Sequence, residues 1–339
     1  MSLSKVSKVS LATGDNVVYG MVLDYAGGYL YGVCNTSPGR CFRIRLSDFT
    51  HQGTITFNSG ENSARGIALD RVNGYLYCTC YVSPTKVVRI RLSDFTYVDC
   101  LTMPASHANG HGIIVSTVLG YLYVGNYAPT YTCDRVLLSS FSYVDYVNFG
   151  SGRLAYNDSA RVDVATLIGM MCTYTTIRAV KIDLSTFSVL GETTLLGGGY
   201  IVSAGVDDVH GYFFAVDGQN PARVNRIVES SWTCDSSLTL NSGYGSATCM
   251  AVNGAGSIGY VGHGVTPLRV SRVDLYPLAW RDGFIGASGD NVAQSIVLDE
   301  YGGFVYVGLN MNPGAVVKYS DGDLIPPGGP QMLPLVGVG

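Results

Sequence analysis

A repeat of about 46 residues runs through most of this chain and limits what it can fold into. Residues 66–96, GIALDRVNGYLYCTCYVSPTKVVRIRLSDFT, closely copy residues 20–50, GMVLDYAGGYLYGVCNTSPGRCFRIRLSDFT. A turn residue marks each copy: Gly28, Gly74, Gly120, Gly169, Gly211, Ser257 and Gly303. A repeat of this length is typical of a stacked array or a propeller, in which each unit buries its faces against its neighbours.

A basic residue later in every copy sets the number of copies at seven. These residues are Arg43, Arg89, Arg135, Lys181, Arg226, Arg272 and Lys318. A residue that recurs at one place in every copy usually meets the same local need. We therefore expect each cation to pair with a neighbouring turn carboxylate or to lie over tyrosine rings, rather than to form a ring of binding groups.

Each copy reads as four short strands separated by turn residues. The first strand ends at an Asp or Asn that can hold a tight turn. The turn residue that marks each copy, glycine in six of the seven, closes that turn. The second strand alternates aromatic residues, as at Tyr75 and Tyr77, which places both rings on one face. The third and fourth strands are typified by residues 88–92 and 97–103. A proline is expected in the loop between the second and third strands of six copies, because proline lacks the amide hydrogen that a sheet needs. These prolines are Pro38, Pro84, Pro129, Pro221, Pro267 and Pro313.

Seven such units predict an all-β fold, a seven-bladed β-propeller with four-stranded antiparallel blades over residues 1–322. The last copy lacks a fourth strand after Lys318, whereas residues 5–11 form a spare strand at the start of the chain. We expect residues 5–11 to complete the last blade and so close the ring. Residues 323–339 form a Pro/Gly-rich apolar tail, which is either a disordered end or a strap lying on a partner subunit.

Composition excludes several classes of partner. The net charge is −4 and only 14% of residues are charged, so a nucleic-acid partner is not expected. No apolar run is long enough to insert into a membrane, and no export signal is visible. The nine cysteines lack regular pairing, which favours buried thiols made in a reducing cytoplasm; a Cys34–Cys41 hairpin bridge is the alternative.

Three second strands carry a short motif that resembles a known superfamily. Residues 123–126, 260–263 and 306–309 read YVGN, YVGH and YVGL, which resembles the signature of the YVTN/lactonase-like seven-bladed propellers. The resemblance implies cell-surface, envelope or periplasmic proteins, some of them hydrolases or cofactor-bearing propellers. The third position is glycine here, and the fourth and fifth copies lack the motif. No catalytic residue of that superfamily falls on a matching motif in this chain.

Departures from the repeat concentrate in the loops that join one unit to the next. With the loops between second and third strands, these should line one face of the disc, where we expect a ligand or partner to bind. The candidates are Asp15, Asn16, Glu61, Asn62, His107, His111, Asn157, Asp158, Tyr244, Asp290 and Asn291. His107 and His111 are expected to be solvated loop residues rather than metal ligands. No metal or cofactor is expected.

The leading hypothesis is a non-enzymatic propeller that binds or assembles, as a structural or recognition component of a larger surface assembly such as a virion spike, fibre or decoration protein. Its partner would be another protein or a second copy of the chain, and residues 323–339 are a candidate segment for that contact. Its final location would be a virion or extracellular particle. Two alternatives stay open. One is a lactonase-like or other hydrolase with its site at the channel mouth. The other is an intracellular protein-interaction scaffold.

Overall fold

A computed structural model describes residues 3–129, 131–149, 160–163, 168–172, 177–197, 199–207, 209–253 and 258–324. Strands and tight turns dominate them, with one short 3-10 turn at Ser242–Tyr244. None of the helical structure in these ranges is long and apolar enough to cross a membrane.

The described residues form twenty-eight strands in seven four-stranded antiparallel sheets. The chain begins with β1 (Ser4–Ser10). Sheet 1 contains β2 (Val18–Asp24), β3 (Tyr29–Cys34), β4 (Arg40–Arg45) and β5 (Thr50–Thr56). Sheet 2 contains β6 (Ala64–Asp70), β7 (Tyr75–Cys80), β8 (Lys86–Arg91) and β9 (Thr96–Thr102). Sheet 3 contains β10 (His107–Ser116), β11 (Tyr121–Pro129), β12 (Thr132–Leu137) and β13 (Ser142–Asn148).

The remaining sheets follow the same order along the chain. Sheet 4 contains β14 (Ala160–Asp163), β15 (Ile168–Cys172), β16 (Arg178–Asp183) and β17 (Ser188–Thr194). Sheet 5 contains β18 (Ile201–Asp207), β19 (Tyr212–Asp217), β20 (Arg223–Val228) and β21 (Thr233–Thr239). Sheet 6 contains β22 (Ala247–Val252), β23 (Ile258–His263), β24 (Arg269–Leu275) and β25 (Leu278–Ile285). Sheet 7 contains β26 (Ala293–Asp299), β27 (Phe304–Leu309), β28 (Ala315–Ser320) and, at its edge, β1.

The sheets are arranged around a central channel. The first strand of each sheet contacts the first strand of the next, and β26 contacts β2. At the far edge of sheet 7, β1 pairs with β28 so that Lys8 lies opposite Val317 and Ser10 opposite Ala315. The architecture is an all-β propeller whose blades are four-stranded antiparallel sheets.

The turns between first and second strands owe their shape to two repeated residues. Gly28 and Gly74 both have φ of +77°, a conformation that glycine adopts without steric cost. The Asp24 carboxylate accepts a hydrogen bond from the Gly27 amide at 2.8 Å, and the equivalent Asp70 accepts one from Asn73 at 2.9 Å. The repeat predicted these turns correctly.

One proline does not lie where the sequence placed it. Pro129 ends β11 instead of lying in a loop, because β10 is ten residues long and pairs His107 with Pro129. The last residue of a strand can be proline, because it needs no ladder hydrogen bond from its own amide. Sheet 3 therefore extends further than the sheets whose loop prolines precede their third strands.

The hydrophobic core lies between neighbouring sheets. Tyr31 and Val33 of sheet 1, for example, pack with Leu76 and Val88 of sheet 2. The cysteines serve as small core side chains: every one whose side chain is described has a free thiol, most of them buried. The alternative Cys34–Cys41 bridge is therefore wrong, since each thiol packs into a different intersheet core.

The seven basic residues that count the repeats join consecutive sheets; we call them the aromatic-stacked column. The Arg89 guanidinium lies 4.9 Å from the Tyr75 ring of its own sheet and 4.5 Å from the Phe141 ring of the next. Arg89 also bonds the Asp99 carboxylate at 2.9 Å. Comparable ring contacts are made by Arg43, Arg135, Lys181, Arg226 and Lys318. For Arg89, Arg135 and Arg226 the bonded carboxylate comes from the fourth strand rather than from a turn.

Arg272 is the exception in this column. The second strand of sheet 6 begins with Ile258 rather than an aromatic residue, so the guanidinium relies on ion pairs. It bonds Asp282 of its own sheet and Asp321 of sheet 7, the latter at 2.8 Å, and it is only 1% exposed. Burial alone would lower the pKa of Arg272, but these carboxylates outweigh burial and raise it.

Two residues assigned to the tail belong to the packed structure. Asp323 bonds Arg272 at 2.9 Å and Arg281 at 3.2 Å, and Leu324 is buried. The rest of the tail, residues 325–339, lies outside the described residues.

Candidate functional site

Two kinds of connection define two faces of the propeller. The loop face carries the loops between second and third strands and the loops between consecutive sheets; the turn face carries the other turns. Backbone hydrogen bonds join the loops of neighbouring sheets, such as Gly39 to Glu61 and Thr85 to His107, both at 2.8 Å. The loop face is therefore a hydrogen-bonded surface rather than a set of independent loops.

Three of the four carboxylates expected to face a ligand are turned inward. Asp15 accepts hydrogen bonds from Arg40 at 2.9 Å and Thr54 at 2.6 Å. Glu61 accepts them from the Tyr97 hydroxyl and from a backbone amide. Asp290 is bonded by Lys5 and Lys8 at 2.6 and 3.0 Å. All three are buried, so their oxygens hold the loops and the N-terminal strand.

The pKa of Asp290 reflects this arrangement. Burial alone would raise it, but the two lysine ammonium groups of β1 outweigh burial and hold it below its usual value. The carboxylate is therefore charged in its pairing with β1.

The two histidines are not solvated loop residues, which corrects the expectation from the sequence. His107 begins β10 and is 3% exposed, and His111 lies on the same strand and is 1% exposed. His107 Nδ1 lies 2.8 Å from an oxygen of Asp134, whereas His111 Nε2 lies 3.0 Å from Arg65 Nη1. The two rings have separate partners, so the His107–His111 spacing does not assemble a two-histidine site.

The other predicted loop residues are only partly drawn together. Asn16, Asn62, Asn291 and Tyr244 are half-buried. The Tyr244 ring packs on His263 and Trp280, with centroids 5.4 and 5.2 Å away. Asn157 and Asp158 lie outside the described residues.

A group that the sequence analysis missed surrounds Arg65, and we call it the Arg65 cluster: Tyr19, Arg65, Tyr81, His111 and Tyr127. The guanidinium lies 4.8 Å from the Tyr19 ring and 3.8 Å from the Tyr81 ring. His111 makes an edge contact with Tyr81 at 4.8 Å, and Tyr127 lies 5.9 Å from His111. Tyr19, Arg65, Tyr81 and Tyr127 all keep part of their surface exposed. The cluster is thus a cation framed by aromatic rings and open to solvent on one side.

Backbone irregularities position the cluster. Tyr19, Arg65 and His111 each lie where the register of the first strand shifts against its neighbour, a bulge that changes the local direction of the side chains. Val17 and Ser63, two residues upstream of Tyr19 and Arg65, have φ of 53° and 55°, which is rare for residues other than glycine. Backbone hydrogen bonds hold this conformation: the Tyr81 amide donates to the Ser63 carbonyl at 3.0 Å, and the Ser63 amide donates to Thr36 at 2.7 Å.

The sequence did contain a signal for this cluster. Tyr19, Arg65 and His111 are 46 residues apart in turn, and so are Tyr81 and Tyr127. One repeat column thus holds three different large polar side chains, a pattern that a search for identical residues passes over.

A second basic column, the loop-end column, lies at the first residue of five third strands. It contains Arg40, Lys86, Arg178, Arg223 and Arg269. Arg40 pairs with Asp15, and Arg178 pairs with Glu192. Lys86, Arg223 and Arg269 make no ion pair with a carboxylate in the ranges that the structure describes, and all three are partly exposed. The signal for this column is a second cation three residues before five of the seven members of the first.

The central channel offers a cavity of a different kind. Its volume is about 370 Å³, and first strands line it with apolar side chains, including Met21, Ile67, Val206 and Ile296. Among the described side chains that line it, Glu300 is the one ionisable group. The described lining therefore offers no pair of ionisable groups for acid–base chemistry.

No protein family and no curated protein matches this sequence. Solved structures do share its fold. "Structure of U3-55K" matches with a TM-score of 0.72 at 9% identity, covering 92% of this chain and 98% of that one. "Crystal structure of RRP9 WD40 repeats" matches with a TM-score of 0.71 at 8% identity, covering 94% of this chain and 100% of that one. These likenesses place the chain among β-propellers by fold, with WD40-repeat propellers as structural neighbours.

Proposed function

We propose that this chain is a non-enzymatic protein-interaction propeller that binds a partner protein on its loop face. The observation that carries the proposal is the Arg65 cluster. Tyrosine and arginine are the residues most enriched where proteins bind one another, because they combine large contact area with directed polar groups. Here four of them converge, partly exposed, on hydrogen-bonded backbone.

We further propose that the seven sheets are seven blades of one closed ring, with β1 completing the last. Support comes from the contacts that run from β2 through every first strand to β26 and back to β2. Support also comes from the pairing of β1 with β28. A closed ring would hold the loop face rigid, which lowers the entropic cost of binding.

The interaction scaffold is favoured over the other predicted settings. The structural neighbours of this chain include a WD40-repeat structure. A role as a virion spike, fibre or decoration protein rests on composition alone. The YVTN/lactonase-like hydrolase would need ionisable groups converging in one pocket, and among the described side chains that line the central channel Glu300 is the one ionisable group.

Site-specific photocrosslinking in the source cells tests the proposed function. A photoreactive phenylalanine analogue would replace Tyr127 on the loop face or, as the matched control, Val118 on the turn face, which is 80% exposed. We expect defined protein adducts from position 127 that are absent from position 118. Adducts from position 118 alone, or from neither position, would contradict a partner site on the loop face.

A further inference from the structure

The Arg65 guanidinium has hydrogen-bonding capacity that the described residues do not use. Nη1 bonds His111, whereas Nε is buried without an acceptor, and no carboxylate in the described ranges pairs with the charge. The two flanking tyrosine rings stabilise the cation through their faces. A partly exposed arginine framed by rings retains a preference for a planar anion.

The loop face around Arg65 also carries cations that no described carboxylate pairs with. On the loop face, Asp15, Glu61 and Asp290 are buried and already bonded, while Lys86, Arg223 and Arg269 remain partly exposed. On the turn face, by contrast, the exposed cations are neutralised locally: Arg45 pairs with Asp48 and Arg91 with Asp94. Among the described residues, the charged side chains that the loop face presents to a partner are therefore cationic, although the chain as a whole carries a charge of −4.

From this charge distribution, we propose that the loop face binds an acidic polypeptide segment, with one Asp or Glu carboxylate of the partner held by Arg65 between Tyr19 and Tyr81. The inference rests on the proposed function and specifies its ligand. Lys86 lies on the same sheet as Arg65, and Arg223 and Arg269 lie on sheets 5 and 6. A phosphate backbone would favour a continuous basic stripe, which the loop-end column does not provide, because Thr132 and Ala315 interrupt it.

Selection from a display library of random 16-residue peptides tests the inference. Enriched peptides would be synthesised, and their Kd measured by fluorescence anisotropy for the wild type and for R65Q, R65K and the turn-face control R91Q. We expect the enriched peptides to be rich in Asp and Glu. We expect R65Q to raise Kd at least tenfold, R65K to raise it less, and R91Q to leave it unchanged. Affinity should also fall with added salt, as charge pairing requires.

The outcomes separate this inference from the proposed function. One outcome is that the enriched peptides lack acidic residues, fail to bind a Tyr19→Ser/Tyr81→Ser variant, and bind R65Q normally. This outcome would overturn the acidic ligand but support a partner site on the loop face. A twelve-residue oligouridylate that binds more tightly than the peptides and displaces them would also overturn it. Failure to enrich any peptide, together with no adduct from position 127, would overturn both. Thermal unfolding of R65Q, followed by circular dichroism, shows whether a loss of binding reflects a loss of fold.

Discussion

Two basic columns lie three residues apart on the third strands, and they have opposite surroundings. Arg89 is held between two aromatic rings of neighbouring sheets and bonds Asp99. Lys86, on the same strand, ends at the loop face without an ion pair to a described carboxylate. The same type of charge thus joins sheets in one column and remains available to a partner in the other. Position along the strand decides which, because Arg89 lies level with the rings whereas Lys86 begins β8 at the loop end.

The aromatic-stacked column should stabilise the fold only while its sheets stay paired, and sheet 7 gives the most severe test. Deleting residues 1–12 removes β1, exposes the edge of β28 beside Lys318, and leaves Asp290 without Lys5 and Lys8. We expect a loss of more than about 5 kcal/mol, since ladder hydrogen bonds and buried leucines disappear together. The melting temperature measured by calorimetry should fall by about 10 °C or more.

A matched truncation sharpens that test. A chain ending at Leu324 keeps every contact that the structure describes, including those of Asp323 with Arg272 and Arg281. Its melting temperature should match that of the full chain. Equal melting temperatures for the full chain and the N-terminal deletion would contradict the role given to β1. Light scattering on the full chain and the 1–324 form also tests the proposed strap, because a change of mass would show that residues 325–339 join two copies.

Within the aromatic-stacked column, Arg272 should be the most sensitive member. Replacing it with Met leaves Asp321 and Asp282 without their cation, and Asp321 is buried. We expect a loss of about 3–5 kcal/mol in urea unfolding, the range for breaking a buried ion pair. Arg89→Met should cost less, because the Asp99 side chain is 45% exposed and water can solvate it. The comparison fails if the two variants lose equal stability, or if Asp321→Asn does not rescue part of the Arg272→Met loss.

His263, which is buried near Arg269 of the loop-end column, should make the free energy of unfolding depend on pH. Burial, together with the nearby Arg269 charge, lowers its pKa to about 4. The unfolded chain, with an ordinary histidine pKa near 6.5, therefore takes up the proton first as pH falls. Stability from this group is complete above about pH 6.5 and is lost between there and about pH 4, by up to about 3 kcal/mol.

Urea midpoints at pH 7 and pH 4.5 check this expectation. His263→Gln keeps a side chain that can bond Ser271 but cannot titrate, so its midpoint should change less than that of the wild type over the same interval. An identical pH dependence in the two proteins would show that His263 is not buried in its neutral form.

The smallest effect on stability is expected from the loop-end column itself. Lys86→Gln, Arg223→Gln and Arg269→Gln remove partly exposed cations that form no ion pair with a described carboxylate. Each should change the free energy of unfolding by less than about 0.5 kcal/mol. A loss above about 1.5 kcal/mol for any of them would place that residue with the aromatic-stacked column as a structural group.

Much of the fold could be predicted because its determinants are local and repeated. The glycine turns, the alternating rings of the second strands and the stacked cations all follow from spacing within one unit. The site could be predicted only in outline. The loop face was predicted from its irregular loops. Asp15, Glu61 and Asp290 were expected to face a ligand there, and they instead hold loops and β1. Their orientation depends on partners up to 285 residues away, such as Lys5 for Asp290.

The sequence by itself determined the strand pattern, the turn chemistry and the place of each unit's cation, because these depend on periodicity and on the conformational limits of Gly, Asp and aromatic residues. Only the tertiary structure decided which charges are buried and which are free. Arg65 became a framed cation because bulges in neighbouring first strands bring Tyr19 and His111 beside it. His107 became a core residue because β10 extends to meet Pro129. Pairing between distant strands sets exposure to water, and exposure separates a structural charge from one that can recognise a partner.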